Sequence, residues 1–143
     1  MTTRRALPLL VAVLACGGEA AETADYDANQ IAVEIVTPDS PGPFNGTLLI
    51  LTLAVDNITL APAGSMEPNT AHHHLFVNRD IVPEGEVIIA EEGVVHLGAG
   101  QAGYTFENLE PGSYTLIAVL GDHAHVRIPG AKTDTVKFEI RGQ

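Results

Sequence analysis

The segment Leu109-Glu110-Pro111-Gly112-Ser113-Tyr114-Thr115-Leu116-Ile117-Ala118-Val119-Leu120 opens with a Pro-Gly turn and runs on as an alternating strand, with Leu116, Ala118 and Leu120 on one side. This is the pattern of a turn entering a late strand of a β-sandwich, where a tyrosine hydroxyl folds back to satisfy a backbone group at the corner. A plain hairpin turn with a half-buried Tyr114 reads the same way. The stretches to either side extend the pattern. In Thr133–Arg141, Val136, Phe138 and Ile140 point one way while Lys137, Glu139 and Arg141 point the other. Tyr104–Leu109 and His72–Val77 are further strand candidates, and Thr47–Val55 is almost wholly apolar, as a strand covered on both faces would be. Near the start, Ile31, Val33 and Ile35 alternate with Ala32 and Glu34. No stretch reads as a long amphipathic helix. About seven short strands separated by Pro, Gly, Asn and Asp predict an all-β fold, an immunoglobulin-like antiparallel β-sandwich over residues 30–143.

The whole chain has 143 residues, enough for one domain. Its 45% apolar and 17% charged residues are those of a compact fold. Eighteen acidic side chains against seven cationic ones give a formal charge of −11. Such a surface repels phosphate backbones and anionic lipid headgroups, which argues against nucleic acid and against electrostatic membrane binding. Trp is absent and aromatics are 5%, which leaves little for stacking bases. The lone cysteine, Cys16, rules out an intrachain disulfide framework and a thiolate-based zinc site.

Cys16 has a different context. Arg4 and Arg5 precede an apolar run, Ala6 to Ala15, too short to span a bilayer. The run ends in Val13-Leu14-Ala15-Cys16-Gly17, which resembles a bacterial lipobox. The expectation is a signal peptide over residues 1–15, lipid on Cys16, and a flexible acidic tether over 16–29. The domain would then be exported to the periplasm or cell surface, touching the membrane only through its N-terminal lipid. An ordinary signal peptide that happens to contain a cysteine is the plainer alternative.

All six histidines fall between positions 72 and 125, in three groups: His72-His73-His74, His96, and His123-Ala124-His125. Residues two apart on a strand share a face with Cα atoms roughly 6.5 Å apart. His72 and His74 can therefore converge on one ion, and so can His123 and His125, with His96 joining from a connecting loop. His73 would face the other side with Leu75 and Val77. Neutral imidazole is the commonest protein ligand for zinc and copper. Asp122, Glu91 and Glu92 are available to orient the rings, and Met66 offers a thioether. Three plainer readings stand beside this one: His96 hydrogen-bonded to backbone, Asp122-His123 forming a turn in which Asp122 accepts backbone N–H groups, and the triplet as a solvated surface run. A proton-linked structural cluster is a further alternative. Nucleophilic catalysis has less support, since no Gly-x-Ser-x-Gly elbow and no His-Glu-x-x-His helix are present.

Taken together, Ala61-Pro62-Ala63-Gly64, Pro68-Asn69-Thr70-Ala71-His72-His73-His74-Leu75, His96-Leu97-Gly98-Ala99-Gly100-Gln101, Pro111-Gly112 and Leu120-Gly121-Asp122-His123-Ala124-His125 resemble, in order and spacing, the bacterial domain-of-unknown-function family numbered 4399, typically exported proteins. The resemblance covers about Asp56 to the C-terminus. It implies that His72, His73, His74, His96, Asp122, His123 and His125 belong to one family motif. This chain departs from the motif at Val94 and at Val126-Arg127-Ile128, where relatives tend to carry further histidines. The resulting expectation is a metal site, copper or zinc, built from His72, His74, His96, His123 and His125, with His73 and Asp122 as supporting or alternate ligands. It would serve storage, delivery or protection rather than turnover. The alternative is a non-catalytic structural or protein-interaction module of the cell envelope whose histidines order loops.

Overall fold

Alternation along the chain becomes the two faces of two packed sheets. The computed structural model describes residues 30–142. The expected signal peptide, Cys16 and the tether over 16–29 lie outside the described residues. The described residues form nine strands: β1 (Ala32–Thr37), β2 (Phe44–Asn45), β3 (Leu49–Asp56), β4 (Thr59–Leu60), β5 (Thr70–Val77), β6 (Val94–Leu97), β7 (Gly103–Phe106), β8 (Gly112–Gly121) and β9 (Asp134–Arg141). Among the described residues no helix is long and apolar enough to cross a membrane. One sheet has the order β1-β3-β7, and the other β2-β9-β8-β5-β4 with β6 also paired to β5. The long pairings are antiparallel, while the two-residue β2 and β4 pair in parallel with β9 and β5.

The core lies between the sheets. Val33, Leu51 and Leu53 from the smaller sheet meet Leu75, Leu116, Ala118, Leu120, Phe138 and Ile140 from the larger one, as the sequence alternation requires. The strand after the Pro-Gly turn starts as expected, and the Tyr114 hydroxyl donates to the Glu110 carbonyl at 2.9 Å. The all-β sandwich agrees with the expected fold class.

The other face of the larger sheet is covered as well. Phe76 on β5 and Val119 on β8 are buried there with Ile88, and Ile81, Val82, Val94 and Ile117 pack around them. The covering segment, residues 78–93 between β5 and β6, is fastened by two arginines. Arg79 pairs with Glu91 and donates to the Glu92 carbonyl. Arg127 donates to the Val82 carbonyl at 2.6 Å and lies 3.6 Å from Glu84. The Glu91 carboxylate is thus engaged with Arg79 rather than with an imidazole.

Candidate metal centre

β5 carries the first two imidazoles. Leu75 falls in the core between the sheets and Phe76 on the covered outer face, so by period two His72 and His74 lie on the outer face with Phe76. His73 faces inward with Leu75 and Val77. On one side of β5, His74 lies opposite Val119 and His72 opposite Gly121 of β8. On the other side, His74 lies directly opposite His96. His96 therefore sits on a strand, β6, and not on the connecting loop the sequence led us to expect. The four residues Val94–Leu97 take up β5's free edge.

The last histidine pair departs further from expectation. Residues 122–125 do not continue β8; they form a turn. The Asp122 carboxylate accepts the backbone N–H groups of Ala124 at 2.8 Å and Val126 at 2.9 Å, and the Asp122 carbonyl accepts that of His125 at 2.9 Å. His125 takes a positive φ of 65°. The chain reverses here, so His123 and His125 do not share a strand face. His125 joins the site and His123 stays exposed. Asp122 acts as a turn builder, as its Asp-His context allowed.

His72, His74, His96 and His125 each offer a nitrogen, and these four atoms lie within 4.8 Å of one another. The six ring-to-ring distances run from 4.7 Å (His72–His74 and His96–His125) to 5.7 Å (His74–His125). Four rings with such similar separations surround a point instead of lining up along a strand. A tetrahedral ion with bonds of about 2.0–2.1 Å holds nitrogens about 3.4 Å apart, inside the 4.8 Å span of these four. His72 and His74 are 1% exposed. His72 Nε2 and His74 Nδ1 are buried without a hydrogen-bond partner, a state that costs about 1–3 kcal/mol per group. This group of histidines can hold a metal ion.

The electrostatics agree. Burial, then the His96 and His125 rings, push the His72 imidazole down to about 4, against a weaker upward pull from Asp122. Burial, then the His72, His96 and His125 rings, push His74 down to about 3. His96 is lowered by burial and by His125. Neutral rings with free lone pairs are what a metal ion needs. The lowered values also fix a sign. Between about pH 6.5 and 4 the folded protein binds fewer protons than the unfolded chain, so its stability falls as pH drops through that window. Urea unfolding of chelator-treated protein should show a loss on the order of 2 kcal/mol per buried ring between pH 7.5 and pH 5. A His72→Gln/His74→Gln variant should lose the share of that dependence due to these two rings and keep the share due to buried His73, which burial also lowers.

Two glycines make room for the rings. A Cβ on Gly98 would lie 2.3 Å from His96 Cε1 and 2.6 Å from its Nε2, and one on Gly121 would lie 2.7 Å from His74 Cε1. The exposed His96 ring can swing away from Gly98→Ala, so that variant should melt within about 0.5 kcal/mol of wild type. Its metal affinity should fall about 10- to 100-fold, measured by competition with a chromophoric chelator. The buried His74 has no such freedom, and Gly121→Ala should lose about 1–3 kcal/mol of stability as well.

The remaining candidates lie elsewhere. His73 is fully buried on the inner face, with Nδ1 3.2 Å from the Gln101 carbonyl. It steadies the loop that follows β6. Met66 is exposed. No reading of the residues alone separated His125 from His123; the signal available was Asp122 at the head of a turn.

A family model described as Domain of unknown function (DUF4399) matches residues 51–141, a span that includes all four grouped histidines. No curated protein matches the chain.

Proposed function

The chain belongs to the DUF4399 family, and from the site it carries we propose that it binds one transition-metal ion through His72, His74, His96 and His125. The observation that carries this reading is the convergence of four imidazoles from separate stretches of chain, their ligand atoms within 4.8 Å. The near-equal ring separations favour an ion with tetrahedral preference, zinc(II) first and copper(I) second, over the tetragonal copper(II). The four grouped side chains offer nitrogen alone, which suits zinc. Storage, delivery or protection fits a site whose four protein donors can fill a tetrahedral shell.

In this reading the domain works outside the cytoplasm, held to a membrane by lipid on Cys16. The support is the lipobox-like Ala15-Cys16-Gly17 behind a short apolar run. Purified domain should hold one ion per chain by elemental analysis. His123→Ala should keep it and His125→Ala should lose it. Trace metal in the unaltered protein rejects the reading. The competing reading, histidines that order loops within an envelope module, draws on the His73–Gln101 contact. It requires melting behaviour indifferent to chelator.

A further inference from the structure

We infer that the four-imidazole centre receives a second, small ligand: an apolar-bodied molecule with a single soft donor atom, of the alkanethiol class, seated in the cavity beside it. This rests on the metal-binding reading above. A cavity of about 250 Å³ abuts the cluster, lined by His74, His96 and His125 together with Val87 to Ala90 and Val94. His72 is absent from its lining, so the cavity faces the position of the ion through three of its four donors. An ion held by four nitrogens can add a fifth donor from that direction, or exchange for it the exposed ring of His96.

The lining selects the ligand. Apart from the three imidazoles, every side chain along it is apolar. A phosphate or another oxygen-rich anion entering there would leave most of its oxygens without partners. A thiolate presents one donor sulfur, which suits both zinc and copper(I), and turns a hydrocarbon body toward the walls. The volume lies below the 300–1,000 Å³ typical of drug-sized sites, so the body is short. Val87 and Ile89 stand 54% and 57% exposed, apolar surface at the cavity that a seated ligand would cover. On binding, the S–H bond breaks, sulfur donates its pair to the ion, and the proton passes to bulk water. No electrons are transferred.

The test uses cobalt(II) as a spectroscopic stand-in, with propanethiol, 2-mercaptoethanol and inorganic phosphate as probes. Cobalt-loaded protein should show ligand-field absorption before any thiol is added. Propanethiol should then add a saturable sulfur-to-cobalt charge-transfer band, with half-saturation at least tenfold below that of 2-mercaptoethanol, and phosphate should leave the spectrum unchanged. Ala90→Phe, which fills the cavity from an exposed position, and Ile89→Asp, which places a charge on its wall, should each weaken the propanethiol response tenfold or more and leave the initial cobalt spectrum intact. Equal responses to the two thiols, equal responses in wild type and both variants, or loss of cobalt to the thiol would overturn the inference and leave metal binding standing. Absence of cobalt absorption before thiol defeats the metal reading, and this inference with it.

Discussion

Zinc added to chelator-treated protein should raise its Tm on the order of 10 °C, and the His72→Ala/His74→Ala variant should show no such rise. An ion that binds only the folded state stabilises it by about 2.7 kcal/mol at one hundred times Kd, and a domain of this size gains about 4 °C per kcal/mol. The double substitution removes the two buried members of the group, leaving the exposed His96 and the turn-borne His125, too few donors for a tetrahedral shell. It also removes two buried nitrogens that lack partners, which offsets part of the cost of the cavity left behind. The metal-free variant should therefore melt closer to metal-free wild type than the volume of two lost rings implies. The diagnostic quantity is the difference between scans with and without zinc. If the double variant keeps the rise, the ion binds elsewhere.

Phe76→Ala should cost about 3–5 kcal/mol, the usual loss for deleting a buried aromatic ring, a large share of the 5–15 kcal/mol that holds a domain folded. Phe76 is fully buried against Ile88 and Val119, on the same face as His74 two residues earlier. The Ile88 N–H donates to the His125 carbonyl at 2.8 Å. The ring thus supports the covering segment, and through Ile88 the turn that presents the fourth imidazole. Losing it should weaken metal affinity as well as stability. Leu116→Ala separates the two effects. Leu116 lies in the core between the sheets, and its truncation should cost about 2–5 kcal/mol while leaving the affinity of the folded protein unchanged. Urea unfolding and chelator competition, run on both variants below their melting temperatures, give the comparison. Equal affinities for Phe76→Ala and wild type would show that the cover takes no part in holding the site.

β1, β8 and β9 were legible because each turns alternate residues into the core, whereas β3, which reads as covered on both faces, leaves Ile50 exposed. Leu116, Ala118 and Leu120, or Phe138 and Ile140, can occupy the core only at alternate positions, and sequence period translates directly into geometry. The Tyr114 contact was legible for a related reason, since a hydroxyl at that corner has a backbone carbonyl within reach. The two-residue β2 and β4 were not legible, being too short to display any period. β6 was missed because Val94–Leu97 has only four residues and owes its pairing to the edge that β5 offers. The site was half legible. His72 and His74 follow from strand parity alone. His125 follows from a main-chain reversal set by the Asp122 carboxylate, and strand parity gives the wrong partner there by treating His123 as its equal. The cover over residues 78–93 was invisible, because its anchors, the arginine contacts and main-chain bonds such as that from the Ile88 N–H to the His125 carbonyl, leave no periodic trace.

The donors come from β5, β6 and the turn after β8, and only completed sheet pairing brings these segments together. An unfolded chain therefore has no preassembled cage with which to capture a cation. On the metal-binding reading, the ions present where folding is completed decide what the four histidines receive.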